Sequence, residues 1–416
     1  MKIVMFKNFS LSISLFAVIL STGCTDLPSP GENKKDTTFE KGSFGYDLSF
    51  LKSHGEVIVL SDSGAQAQVL VSAKYQGKVF TSTASGNEGQ SFGWVNYKAF
   101  TGAPNAHMNG YGGENRLWLG PEGGKYSLFF QKGAKMDFDN WKTPAAFDTE
   151  PWDVVSKNET QVSLHKNMDL LNYAGSHLQI SIQRTISILP RSRTFSDLNL
   201  EPDDSVRAVG YEAQNKMTNT GMFSWDEKTG MPCIWMLDMF KPSEKTVILV
   251  PYQRASDTTS KIATTNYFGE IPADRLKHRD GILYFKADGK SRGKLGLDPS
   301  RATRFVGSYD AIHNILTIAH FDLDSTAKYL NQEWNTSKPA FSGDAVNAYN
   351  DGPLADGTQM GPFYEIESVS PAAMLKPGES LEHQHSVFHF SGPEAALNKI
   401  TESVFHISID QIKSVF

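Results

Sequence analysis

Residues 361–392, GPFYEIESVSPAAMLKPGESLEHQHSVFHFSG, concentrate side chains able to move protons. Glu365 and Glu367 stand two apart in one alternating segment, and His383, His385 and His389 share one parity in the next. Alternate side chains of a β-strand project from the same face, so each set acts as a unit. On adjacent strands, these groups predict a concave site for acid/base work, with Glu365 or Glu367 as base and His383 or His385 as acid. Burial on such a surface disfavours a carboxylate's charge and raises its pKa toward the range of a general base. His389 would donate to a ligand, while Phe388 and Phe390, of opposite parity, would face the core between sheets. The same residues offer an alternative: Glu365, Glu367, His383 and His385 make a divalent-metal set. A His-x-His pair alone is a weak metal signature, and no cofactor is otherwise called for. The competing structural reading makes the glutamates partners of Arg or Lys and the histidines partly exposed strand residues.

Residues 105–124, NAHMNGYGGENRLWLGPEGG, hold six glycines among His107, Glu114, Arg116, Trp118 and Glu122. Glycine lets a backbone turn tightly or approach a ligand closely. Arg116 offers a planar fork of donors suited to sugar oxygens or carboxylate; its structural alternative is an Arg–Glu pair in a turn. No Lys-Ser or Lys-Thr follows the glycines, so this is no phosphate loop. Trp94, Trp118, Trp141, Trp152, Trp235 and Trp334 could stack on a pyranose, though most Trp residues in a β-sandwich are core. Gly89-Gln-Ser91-Phe-Gly93 has the nucleophile-elbow spacing but lacks the strand-to-helix setting that motif needs. Asp137-Phe-Asp139 and Asp322-Leu-Asp324 do not continue as calcium loops. The basic run 275–294 reads as a solvated hairpin.

The elements that must position these groups are strands. Segments 56–60, 68–73, 78–84, 126–131, 161–164, 178–189, 205–218, 246–251, 281–286 and 311–321 alternate or run apolar, with Gly and Pro between them. Helices are predicted only at 325–334, where Asp324 would cap, and 393–400. Without βα alternation the chain reads as an all-β sandwich or barrel.

The ends and composition bound the setting. Lys2 and Lys7 precede an apolar stretch, 9–20, too short to span a bilayer. Leu20-Ser-Thr-Gly-Cys24 then resembles a lipoprotein cleavage site, with Cys24 the lipidated residue. This predicts a signal peptide over 1–23, a flexible polar tether over 24–45 and a single domain over 46–416. It also predicts a bacterial envelope location, periplasmic or outer-membrane, with membrane contact through the lipid alone. With Cys24 acylated, Cys233 has no disulfide partner. Removing 1–23 takes Lys2 and Lys7 from the 40 basic residues, leaving 38 against 46 acidic, or −8. That balance argues against nucleic acid; the expected partner is carbohydrate and the expected state a monomer.

The terminal segment, with its acidic strand, Ser370-Pro371, Leu375-Lys-Pro-Gly-Glu379 and Phe390-Ser-Gly392, is similar to the end of aldose 1-epimerases. The wider body resembles a family of bacterial lipoproteins with the galactose-mutarotase-like fold. Its shared features are Gly77-Lys-Val-Phe-Thr-Ser-Thr-Ala84, Gly93-Trp-Val-Asn96, Asn115-Arg-Leu-Trp-Leu-Gly-Pro-Glu-Gly-Gly124, Ala287-Asp-Gly-Lys290 and Gly307-Ser-Tyr-Asp310. The resemblance covers most of 46–416 and implies a supersandwich of two large antiparallel sheets with few short helices. It also places an Arg such as Arg116 near the sugar. Aldose 1-epimerases carry their catalytic His in a mid-chain His-Pro-Tyr-Phe-Asn segment. The corresponding region, 219–252, has no His and centres on Trp235 and Asp238. The readings are therefore an aldose 1-epimerase-like isomerase, a non-catalytic glycan-binding lipoprotein on the same scaffold, or a metal-dependent sugar lyase or hydrolase.

Overall fold

A computed structural model describes residues 38–254 and 261–416. The expected signal segment, Cys24 and tether residues 25–37 lie outside the described residues. Tether residues 39–45 do not lie apart from the body: Phe39–Phe416 is one compact unit. Ser43 caps helix Phe44–His54 by accepting from the Tyr46 amide, satisfying one of the donors a helix start leaves unpaired.

The remaining architecture is set by how strands bury their two faces. His177–Ile188 alternates exposed or half-buried with buried residues, as a strand with one wet face must. Cys233–Phe240 and Tyr364–Val369 are buried at every position, so something covers them on both sides. The first strand belongs to a ten-stranded antiparallel sheet. Its order is Leu276–Arg279, Ile282–Lys286, Thr246–Pro251, Phe305–Asp310, Ile315–Phe321, Ser380–Ser391, Arg207–Asn219, His177–Ile188, Gln161–Leu171, Asp153–Lys157. The doubly buried strands belong to a five-stranded antiparallel sheet ordered Gly293–Leu297, Val346–Asn350, Tyr364–Val369, Cys233–Phe240, Arg116–Gly120. A three-stranded sheet, Ile58–Ser61, Gln68–Ser72 and Lys78–Thr83, stands beside helix Phe44–His54.

Ile234, Met236, Ala348 and Ile366 of the smaller sheet share one apolar cluster with Ile182, Val209 and Ala213 of the larger. Each Ile, Val or Met side chain among them contributes roughly 1.5–3 kcal/mol on burial. The far face of the larger sheet is covered by helices Glu394–Phe405 and Ile409–Lys413, whose Leu397, Ile400 and Ile409 pack on Leu316, Ile318, Phe388 and Phe390. This corrects the expected placement of Phe388 and Phe390, which face these helices and not the space between sheets.

Two other expectations are corrected. Segment 325–334 is not helical: Asp324 Oδ1 accepts from both the amide and the hydroxyl of Thr326, a local turn that competes with helix. Segment 126–131 is irregular and supplies Phe129 to the covering of the smaller sheet.

Candidate functional site

The outer face of the five-stranded sheet carries the charged cluster. Register puts Arg116 opposite Leu237, Leu237 opposite Glu367, Met239 opposite Glu365, Glu365 opposite Tyr349 and Tyr349 opposite Lys294. All therefore project from the same face. Arg116 reaches across one strand to Glu365, with Nη2 and Oε1 2.5 Å apart. Lys294 reaches across another from the opposite side and donates to Glu367 Oε2 at 2.8 Å. Trp235 Nε1 donates to that same oxygen at 2.9 Å. Glu367 Oε1 and Arg116 Nε are buried with no protein partner. A buried acceptor and a buried donor left open are costly unless water or ligand completes them; a polyhydroxylated molecule supplies both complements.

Aromatic rings line this face. The Arg116 guanidinium lies 5.2 Å from the Trp118 ring centre, and the Lys294 ammonium 5.0 Å from Trp235 and 5.7 Å from Tyr267. Trp118 meets Trp235 edge-on at 5.7 Å. The aromatic series continues through Phe129 and Trp141 to half-buried Trp334. His107 stands at the end of that series. It stacks on Phe138 at 4.4 Å, and its Nδ1 lies 2.7 Å from the Trp141 carbonyl.

Glycines make the covering possible. A Cβ on Gly123 would stand 2.1 Å from the Glu333 carbonyl oxygen, so the 331–335 segment that presents Trp334 needs glycine there. Gly113, at φ +127°, takes a conformation side chains rarely adopt and would crowd the Arg116 stem at 3.2 Å.

Electrostatics single out two carboxyl groups. Burial pushes Glu365 up to about 7, with Arg116 opposing and Glu367 adding to the shift. Burial likewise pushes half-buried Glu122 up to about 7, opposed by Lys294 and by the Trp334 indole. Burial disfavours the Lys294 charge, but Glu367, Glu122 and Glu365 outweigh it and hold the ammonium above its ordinary value. Burial thus raises two carboxyls that both feel the Lys294 charge.

The histidine row is elsewhere. Ser380–Ser391 pairs with Arg207–Asn219 and Ile315–Phe321 in the larger sheet, not with Tyr364–Val369. Its histidines point between the sheets and meet residues of the opposite parity from the glutamates. Ser368 Oγ lies 2.9 Å from His383 Nε2 and 2.8 Å from His385 Nδ1, and His385 Nε2 lies 2.7 Å from Asp238 Oδ2. The network is self-consistent when His385 donates to Asp238, Ser368 donates to His385 and His383 donates to Ser368. That leaves His383 Nδ1 bare, and it has no partner. Burial, then His385, press the His383 pKa down to about 3, so this imidazole is neutral. Asp238 also accepts from Asn115 at 2.7 Å, and Asn115 from the buried Arg184 at 2.5 Å.

The expected shared hollow of Glu365, Glu367, His383 and His385 is thereby corrected: strand Tyr364–Val369 separates the two sets. The alternative metal set fails for the same reason, and among the described residues no three His, Cys, Asp or Glu side chains converge as metal ligands. Glu114 and His389 belong to the inner face as well, bonded to each other at 3.0 Å. Of the expected ligand-binding residues, Arg116, Trp118, Glu122 and Trp235 gather around the glutamates, and His107 stands at the margin. Lys294 was missed. Read as part of a solvated hairpin, it is a buried ion-pair partner, as is Arg275, which bonds Asp288. The alternation of Lys294-Leu-Gly-Leu297, preceded by Gly293, was the available signal.

Antiparallel sheets of ten and five strands sharing one apolar core, with the charged cluster on the outer face of the smaller, make a two-sheet β-supersandwich. Within that class the chain belongs to DUF6786, a family of unknown function whose model matches residues 42–416. No curated protein matches it by sequence. Among solved structures it is similar to the Slr1438 protein of Synechocystis sp. PCC 6803, with 13% identity, TM-score 0.50 and coverage of 81% of this chain and 96% of that one. A putative aldose 1-epimerase of Escherichia coli K12 matches with 11% identity, TM-score 0.48 and coverage of 80% and 98%. A galactose mutarotase-like protein of Lactobacillus casei ATCC 334 matches with 12% identity, TM-score 0.47 and coverage of 80% and 100%. Identities this low bear on the fold alone.

Proposed function

We propose that this protein binds a sugar on the outer face of the five-stranded sheet and interconverts its anomers. Glu365, close to half-ionised near neutral pH, takes the proton of the anomeric hydroxyl. The bond from the anomeric carbon to the ring oxygen then breaks, and that oxygen receives a proton from Glu122. Rotation about the single bond between the carbonyl carbon and its neighbour turns the other carbonyl face to the ring oxygen, and reversal of the same transfers gives the other anomer, so no co-reactant is consumed. Arg116 holds Glu365 in place, Glu367 is fixed by Lys294 and Trp235, and Trp118 and Trp235 offer apolar faces to the ring. The observation that carries this reading is geometric: Arg116, Lys294 and Trp235 fix Glu365 and Glu367 on one sheet face while Glu367 Oε1 and Arg116 Nε stay open beside them, and burial raises Glu365 and Glu122 toward the range of a general acid or base. Glu122 takes the role first expected of a histidine.

The test is anomeric exchange measured by NMR across a panel of free aldoses and uronic acids. Acceleration over buffer is expected for at least one sugar, falling at least about 100-fold in Glu365→Gln and in Glu122→Gln, as for loss of a general acid or base. Binding without acceleration for any sugar would replace this reading with the non-catalytic one. From the Leu20–Cys24 motif we further propose a lipid-anchored form in a bacterial envelope. Radiolabelled fatty acid should enter the wild-type chain and not Cys24→Ser; equal labelling of the two contradicts it.

A further inference from the structure

A second hollow, of about 250 Å³, opens beside Lys241 and His313 and runs inward to His389, Thr317 and Tyr364. It lies on the other side of the five-stranded sheet from Glu365: Tyr364 precedes Glu365 in the strand and so points the opposite way. Phe92, Phe240 and Ile315 form apolar walls.

The polarity of its floor follows from the hydrogen bonds behind it. Glu114 accepts from the Ser82 amide at 2.5 Å and the Ser82 hydroxyl at 2.6 Å. His389 Nε2, 3.0 Å from Glu114 Oε1, is therefore the protonated nitrogen. His389 Nδ1 is then an acceptor, and the Thr317 hydroxyl 2.8 Å away must donate to it. The ring is pinned in place by Phe92, stacked on it at 4.4 Å. Thr317 Oγ1 is left with lone pairs to offer, one of them within reach of the Tyr364 hydroxyl, which also meets Ser308 Oγ at 2.7 Å. At the mouth, the Lys241 ammonium gives one N–H to the Ser91 carbonyl at 2.9 Å and stands 3.6 Å from Asp47. It keeps donor capacity for a guest.

We propose that this hollow is a second ligand site, taking a neutral hydroxylated molecule of about monosaccharide size. One guest hydroxyl donates to Thr317 Oγ1, a guest oxygen accepts from Lys241, and a C–H face lies against Phe240 and Ile315. The buried Glu114 carboxylate behind the floor selects against an anionic guest. Because His389 fixes the direction of the Thr317 proton, Thr317 Oγ1 takes a guest hydroxyl and gives nothing to its methyl ether.

The site is tested by methyl NMR on protein labelled at Ile and Thr, titrated with free aldoses, alditols and their O-methyl derivatives. The Ile315 and Thr317 methyl signals should shift saturably with at least one unmethylated compound. The response should persist in Glu365→Gln, which separates this site from the outer one. Thr317→Val, read at Ile315, should weaken binding about tenfold, the worth of one hydrogen bond at a buried site. Lys241→Met, at a half-exposed position, gives an independent loss where Thr317→Val compromises folding. An Ile315 signal unmoved across the panel, or wild-type binding in both variants, overturns the proposal.

Discussion

The buried Glu365 carboxyl makes stability and pH inseparable, and replacing it with glutamine isolates the effect. Burial lifts this group from 4.5 to about 7. At 1.36 kcal/mol per unit, holding it ionised in the folded protein costs roughly 3 kcal/mol relative to the neutral acid. Only 8% of the residue is exposed, so solvent screening removes little of that. The folded pKa lies above the unfolded one. The contribution is therefore fully present below pH 4.5 and is lost as pH rises through about 7. Glu365→Gln has the shape of the neutral acid, keeps an oxygen for Arg116 and cannot ionise. Urea unfolding of both proteins at pH 5, 6, 7 and 8 should show the variant gaining on wild type by roughly 2–3 kcal/mol across that range. Parallel pH curves would refute the claim that Glu365 titrates near neutrality.

Ser368→Ala should cost about 2–4 kcal/mol by urea unfolding, because it strips a partner from both His383 and His385 in a fully buried network. Gly123→Ala places a carbon 2.1 Å from the Glu333 carbonyl; it should cost about 1–3 kcal/mol and depress anomeric exchange by displacing Trp334, and unchanged stability with unchanged rate would contradict the close approach. Trp235→Phe removes a 2.9 Å donor to Glu367 and should cost about 1.5–3 kcal/mol, as for a bond to a charged group; a thermally identical variant would show that Lys294 alone fixes this carboxylate.

Periodicity in the sequence was enough to reveal side-chain parity but not strand pairing. The shared face of Glu365 and Glu367 followed from alternation, as did that of His383, His385 and His389, and both hold. The error lay in pairing two strands that adjoin in sequence. The connector around Leu375–Gly378 carries the chain from one sheet to the other: the Gly378 amide bonds the Asn219 carbonyl of the larger sheet and Asn219 bonds the Leu375 carbonyl. Local pattern carries no term for such a crossing. Phe388 and Phe390 were rightly read as buried, yet two apolar layers compete for them, and only the C-terminal helices decide which. Arg116 stood out by residue type, whereas Lys294 did not. A lysine in a basic run reads as solvated until Glu367 is known to lie one strand beyond its neighbour.

The carboxyl titrations themselves test the central claim most directly. With glutamate side chains labelled with ¹³C, two carboxyl resonances should titrate near pH 7, one absent from Glu365→Gln and the other from Glu122→Gln. If every glutamate in the folded protein titrates below about pH 5, within the ordinary carboxylate range, the outer face holds only a structural ion-pair network and the proposed proton transfers have no donor or acceptor.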